Sequence, residues 1–258
     1  MIGAITGDIV GSIYEHDNIR SKQFPLFGDR CRFTDDTVCT VAVADCLMND
    51  GDFGEYLSRY ALRYPSRGYG AMFRQWATAW ERAPYGSWGN GSAMRVGAVA
   101  YLARDEAEVL EAADRSASVT HNHPDAINGA RAVALATWMA LSGTDAISIR
   151  QEIADRFDYD LNQSVDEIRT WYRFDVSCAG TVPQAITCAL EATDYEDAIR
   201  NAISIGGDSD TIACIAGGIA ESIFGLPADI EASARTYLTS DFLTVIERFE
   251  HRLQSSTV

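Results

Sequence analysis

The 258-residue chain sets 37 acidic residues against 21 basic ones, a formal charge of −16, and Lys22 is its only lysine. A surface this acidic excludes the Lys/Arg stripes that a nucleic-acid backbone demands. With 47% apolar residues the chain can bury a sizeable core, which argues against disorder.

The opening residues, MIGAITGDIVGSIYE, have no basic n-region and meet Asp8 early, so no secretory signal is expected. No apolar run reaches the length of a membrane span. The six cysteines, Cys31, Cys39, Cys46, Cys178, Cys188 and Cys214, form no CxxC pair and mostly lie in apolar, helix-like stretches. They read as reduced core thiols of a cytoplasmic protein that does not engage membranes.

Along the chain, helical periodicity dominates. Gly3, Gly7 and Gly11 recur at every fourth residue, on one face if the segment is helical. Apolar faces at helical spacing follow over Val38 to Asn49, Ala71 to Arg82, Ala126 to Ser142, Val182 to Glu191 and Ile212 to Phe224. Breakers fall between them at Pro65, Pro84 to Gly91, Pro124, Gly206-Gly207 and Pro227. The stretch from Asp158 to Ser177 is less regular, and strand signals are nearly absent. Ala213, Ala216, Gly217 and Ala220 give the late helix a face of small residues. A Gly inside a helix costs roughly 1 kcal/mol relative to Ala, so such faces point to close helix contact. The expectation is one all-α domain over residues 1–258, a compact multi-helix orthogonal bundle.

Two short segments share a design. Thr34-Asp35-Asp36-Thr37 and Gly206-Gly207-Asp208-Ser209-Asp210-Thr211 each stand just before an apolar helix. Helix capping accounts for one side-chain oxygen per terminus, at about 1 kcal/mol. Two carboxylates per terminus exceed that need, and crowded carboxylates repel unless a proton or cation intervenes. If the two termini converge, the oxygen-only donor set suits Mg²⁺, Mn²⁺ or Ca²⁺ rather than Zn²⁺. DSDT is not an aspartyl-phosphatase motif, because Ile212 stands where Thr or Val is required and no strand precedes it. There is no P-loop or dinucleotide fingerprint. Between the acidic segments, YGSWGNGSAMR (Tyr85 to Arg95) is a Gly-rich loop entering a helix, and its backbone N–H groups could cradle phosphate or ribose oxygens. His121, in THNHPDA, either belongs to a helix start or hydrogen-bonds a ligand.

Taken in order, GDIVGSIYE, FTDDT, YGSWGNGSAMR, THNHPDAINGA and ISIGGDSDTIACIAGGIAESIFG resemble the ADP-ribosylglycohydrolase family over most of the chain. The resemblance implies an all-α fold with two metal ions, usually Mg²⁺, in a cleft. It implies Thr34, Asp35, Asp36, Asp208, Asp210 and Thr211 as metal ligands. Glu15 would belong to a loop over the site, Gly86, Ser87, Trp88 and Asn90 to the diphosphate and ribose site, and His121 to the ligand contacts. Trp88 is the stacking candidate for adenine.

The implied reaction releases ADP-ribose from a modified protein or small molecule by cleavage at the anomeric carbon of the distal ribose. Asp35, Asp36, Asp208 and Asp210 are the candidate bases, with Glu15 covering the site or assisting proton transfer. Tyr14-Glu15 after GDIVGS, the GSW loop, His121 and DSDT resemble the branch acting on serine, other O-linked or O-acetyl-ADP-ribose, with arginine N-glycosides close behind. Bound cations, helix N-termini and Arg95 would offset the protein's own charge toward the anionic ligand. A monomer is expected. The alternatives are a non-catalytic ADP-ribose binder and another Mg²⁺-dependent hydrolase of nucleotide-like substrates.

Overall fold

The computed structural model describes residues 1–256, and within them the chain is all-α. Its helices are α1 (Ile2–Gly11), α2 (Asp35–Met48), α3 (Phe53–Arg63), α4 (Ala71–Thr78), α5 (Gly97–Leu102), α6 (Glu106–Ser118), α7 (Pro124–Leu141) and α8 (Ala146–Phe157). There follow α9 (Val165–Trp171), α10 (Cys178–Leu190), α11 (Tyr195–Ser204), α12 (Ser209–Phe224), α13 (Ala228–Arg235) and α14 (Ser240–Ser256). The glycine expectation at the start of the chain is met: α1 is a helix buried along its whole length.

Its partner is α12, and the seam between them organises the molecule. A Cβ built on Gly7 would lie 1.9 Å from the Ala213 carbonyl oxygen, and one on Gly217 2.5 Å from the Gly3 carbonyl oxygen. Side chains at these positions would force the two backbones apart. Gly3 meets Gly217, Gly7 meets Ala213 and Gly11 meets Ser209 and Asp210, so the two helices run antiparallel. The end of α1 therefore lies at the start of α12. Glu221, near the far end of α12, accepts the Gly3 N–H at 2.9 Å and satisfies a first-turn donor of α1.

Around this seam stand α2, α5, α7, α10 and α11, whose apolar faces form one continuous core of aliphatic side chains and alanines. Helix α2 begins three residues before the periodic run predicts, because the Thr34 side chain accepts the Asp36 N–H and caps it. Helix α10 begins at Cys178 despite Pro183 within it; Ser177 caps its start by accepting the Gly180 N–H. Helix α4 stops at Thr78, short of Arg82, where Ala79 turns extended. In the irregular stretch before α10, Ser164 and Glu167 form a capping box that starts α9. All six cysteines are free and buried. No described helix is long and apolar enough to cross a membrane.

Candidate active site

The antiparallel seam delivers three chain segments to one point. Asp8 lies on α1, Glu15 just beyond its end, and Asp208 and Asp210 at the start of α12. Helix α2 aims its N-terminus at the same place. Carboxylate oxygens of Asp8, Asp36 and Asp210 lie within 4.8 Å of one another, and so do those of Glu15, Asp208 and Asp210. Asp210 belongs to both groups. Asp36 and Asp210, separated by most of the chain, thus come within the reach of one cation, as a shared site requires.

Capping does not explain this arrangement. Thr34 caps α2, which leaves Asp35 and Asp36 free of that task, and the Asp208 side chain does not cap α12. Asp208 Oδ2 instead accepts from Asn90 Nδ2 at 2.7 Å. Asp36 Oδ2 accepts the Thr211 hydroxyl at 3.3 Å and lies 3.3 Å from that of Thr34, whose hydrogen goes to the closer Asp8, while Asp36 Oδ1 is buried without a partner. A buried carboxylate oxygen without a donor is costly, and a hard cation is the partner its surroundings fit. The donor set is all oxygen, from carboxylates and two threonine hydroxyls.

Electrostatics point the same way. Burial, then the neighbouring charges of Asp8, Asp35 and Asp208, hold the Asp36 carboxyl well above its ordinary range. Burial, then Asp36, Asp208 and Glu15, does the same to Asp210. Asp35 is pushed up to about 8, chiefly by burial. Burial also raises Glu15 and Asp208, the latter opposed by its Asn90 hydrogen bond. So many carboxylates in one place require protons or cations to coexist.

Asp8 escaped the sequence reading as a site residue. Its carboxylate accepts the backbone N–H of Thr34 at 2.9 Å and of Thr37 at 3.1 Å. It also accepts the Thr34 hydroxyl at 2.6 Å and the Thr37 hydroxyl. With four donors on its two oxygens, Asp8 clamps the start of α2 to α1. The available signal was a charged residue inside the otherwise apolar IGAITGDIVG. Asn18 was also missed. Its amide pairs with both sides of the Gly207 peptide, accepting the N–H at 2.7 Å and donating to the C=O at 2.9 Å, and also donates to Tyr14 O at 2.6 Å. This ties the Glu15 segment to the acidic turn. The turn itself needs glycine: Gly206 and Gly207 adopt φ of 68° and 84°, and a Cβ on Gly207 would meet the Tyr172 ring at 2.4 Å.

Asp35 belongs to neither carboxylate group. It lines an adjoining cavity of about 370 Å³, together with Gly70, Met72, Phe73, Tyr85, Trp88, Met94, His121 and Val176. The SRGYGA stretch before α4 supplies part of this wall, which the sequence reading did not single out; Asp35 N–H donates to Arg67 O at 2.7 Å, and a Cβ on Gly68 would sit 2.8 Å from Asp35 Oδ1. The Gly-rich loop forms another wall. It is pinned by Gly86 N–H to Asn122 Oδ1 at 2.7 Å, Gly89 N–H to Ser87 Oγ at 3.1 Å and Asn90 N–H to Val176 O at 2.8 Å. Trp88 is half exposed at the mouth. The Asn90 side chain joins the loop to the acidic centre, since its amide donates to Asp208 and, at 3.1 Å, to Thr181 Oγ1. Arg95, expected to offset the protein's charge toward an anionic ligand, is buried at 0% exposure and belongs to the lining of the same cavity.

An all-α scaffold that gathers five carboxylates beside an apolar, aromatic-lined cavity defines a carboxylate-centred cleft of the hydrolase type. The family model described as ADP-ribosylglycohydrolase matches residues 1–256, and the chain belongs to that family of glycosidic-bond hydrolases. Among its relatives is ADP-ribosylhydrolase ARH3 of Homo sapiens, 28% identical over 330 aligned residues that cover 94% of this chain and 90% of that protein. ADP-ribosylarginine hydrolase Tri1 of Pseudomonas putida (strain GB-1) is 26% identical, covering 88% of this chain and 70% of its own length. A solved structure described as an ADP-ribosylglycohydrolase-related protein complex shares the fold, with a TM-score of 0.69 at 22% identity over 92% of this chain and 97% of that one.

Proposed function

We propose that the protein is a divalent-cation-dependent hydrolase that releases ADP-ribose from O-linked targets, serine- or acetyl-linked, ahead of arginine-linked ones. The observation that carries the reading is Asp210, shared by two carboxylate groups that adjoin the cavity lined by Asp35, Trp88 and His121. Thr34, Asp35, Asp36, Asp208, Asp210 and Thr211 would hold two Mg²⁺ ions. Bound there, such ions polarise ribose hydroxyls and water at the anomeric carbon.

The remaining work falls to side chains. Trp88 offers its face to the adenine and Ser87 and the loop N–H groups serve the diphosphate and ribose. Phe73, Tyr85 and Val176 exclude water from the base. Asn90 and Asn18 hold the acidic turn against the loop and against the Glu15 segment. The proton of the attacking water would pass to Asp35, at the cavity wall, or to Glu15, partly exposed at the rim. Either group returns that proton to the leaving oxygen as the glycosidic bond breaks.

The preference for an oxygen linkage rests on Tyr14-Glu15, the GSW loop, His121 and DSDT, and the ARH3 relatives span nearly the whole chain. The similarity to an arginine hydrolase keeps the N-linked substrate as the closest competitor. The test is a panel of serine-, acetyl- and arginine-linked ADP-ribose, each assayed with Mg²⁺ and with EDTA. Free ADP-ribose should appear from the O-linked members with Mg²⁺ alone. Equal release in EDTA contradicts the cation requirement, and faster arginine cleavage contradicts the linkage. Tight ADP-ribose binding with no turnover on any member would make the protein a binder, and release of inorganic phosphate would make it a different hydrolase.

A further inference from the structure

In the cavity wall lies a buried cation with no acidic partner among the described residues. Arg95 Nη2 donates to Ser116 O at 2.6 Å and to Thr120 Oγ1 at 2.8 Å, and its Nε is buried without a partner. Thr120 Oγ1 in turn lies 2.7 Å from His121 Nδ1. A hydroxyl has one hydrogen to give, and here two acceptors compete for it. One is the Ala117 carbonyl, 3.4 Å away, which already accepts the N–H of Thr120 at 3.1 Å and of His121 at 2.8 Å. The other is the closer Nδ1, which accepts when the ring proton sits on Nε2.

The hydrogen therefore goes to Nδ1, and the adjacent guanidinium polarises the hydroxyl to make it a stronger donor. Burial, then the Arg95 charge, keeps the imidazole neutral by holding it well below its ordinary range. A neutral ring that accepts at Nδ1 carries its proton on Nε2. Among the described residues Nε2 has no hydrogen-bond partner. It lies beneath the Gly-rich loop, where a Cβ on Gly91 would approach it to 3.2 Å and one on Gly89 to 3.7 Å. The two glycines leave that nitrogen its space beside the cavity.

We propose that Arg95 and Thr120 are positioning residues that lock His121 in the Nε2–H form, giving the cavity a fixed neutral donor for an oxygen of the ligand diphosphate. The choice of an anionic oxygen follows from the Arg95 guanidinium, which lines the same cavity without an acidic partner among the described residues and so favours an anion there. The diphosphate assignment rests on the ADP-ribose reading above; the tautomer does not.

The experiment has two arms on the full chain. Long-range ¹⁵N–¹H spectra, with His121 assigned through His121→Gln, should show the proton on Nε2 and a bare Nδ1. A proton on Nδ1 overturns the lock. Calorimetry with Mg²⁺ then compares ADP-ribose with adenosine, which lacks the diphosphate. Thr120→Val should weaken ADP-ribose about tenfold while leaving adenosine within about twofold, and Thr120→Ser should stay near the parent protein. Equal losses for both ligands, or a Ser variant as weak as the Val variant, overturn the assignment. If the parent protein binds neither ligand, the ADP-ribose reading falls and the spectra still decide the tautomer.

Discussion

The two acidic helix starts look like copies in the sequence and do different work in the structure. At α2, Thr34 caps the helix while Asp8 binds the hydroxyls and N–H groups of Thr34 and Thr37, so the turn is fastened from behind. At α12, Asp208 caps nothing and is held from the front by Asn90, with the turn itself clasped by Asn18. One start is braced by a neighbouring helix, the other by two loops, of which the Gly-rich one also lines the cavity. Helix termini that resemble each other in composition can thus be stabilised by unrelated contacts, and the shared feature, paired carboxylates, marks the chemistry rather than the cap.

That contrast breaks most sharply at Asp36 and Asp210. Replacing either with Ala should lower kcat/KM by about 10³-fold while the far-ultraviolet circular dichroism stays helical; loss of the helical signal would instead assign these carboxylates to the fold. Asn90→Ala comes next. It removes the front brace of Asp208 and should cost about 10- to 100-fold in kcat/KM with little change in the unfolding midpoint. An equal effect from Thr37→Ala on turnover alone would erase the distinction between the two starts.

Thr37→Ala should show chiefly in stability, a loss of about 1–2 kcal/mol in urea unfolding, because it removes a donor to buried Asp8. The smallest effect is one of pH. In the cation-free protein, Asp35 titrates at about 8 and Asp36, Asp208 and Asp210 are also raised. The folded chain then binds more protons than the unfolded one above about pH 4. Stability from these groups is full below that point and is lost as pH rises through their folded values. Melting in EDTA should therefore shift down between about pH 5 and 8, and Mg²⁺ should flatten that slope by binding the ionised carboxylates. A midpoint that climbs with pH in EDTA would contradict the crowding.

Much of this was legible in the chain. The four-residue glycine spacing and the small face of the later helix encode a close seam, because only small residues permit two helix backbones to touch. The paired carboxylates likewise stand out, since one cap would suffice. Asp8 was hidden because a single charge in an apolar helix reads as an interruption until the α2 donors that surround it are seen. Asn18 was hidden for a related reason: its partner, Gly207, is 189 residues away and is reached only through the fold. For Arg95 the charge is visible in the sequence, but that it is buried in the cavity wall with its guanidinium on the Ser116 carbonyl of α6 depends on the fold.

The central claim is that Asp36, on α2, and Asp210, on α12, serve one cation-binding centre with Asp210 common to two positions. Isothermal titration of the full chain with Mn²⁺ tests it most directly. The account predicts two cations per chain in the parent protein, loss of one position in Asp36→Asn, and loss of both in Asp210→Asn. Unchanged stoichiometry and affinity in Asp210→Asn would contradict it.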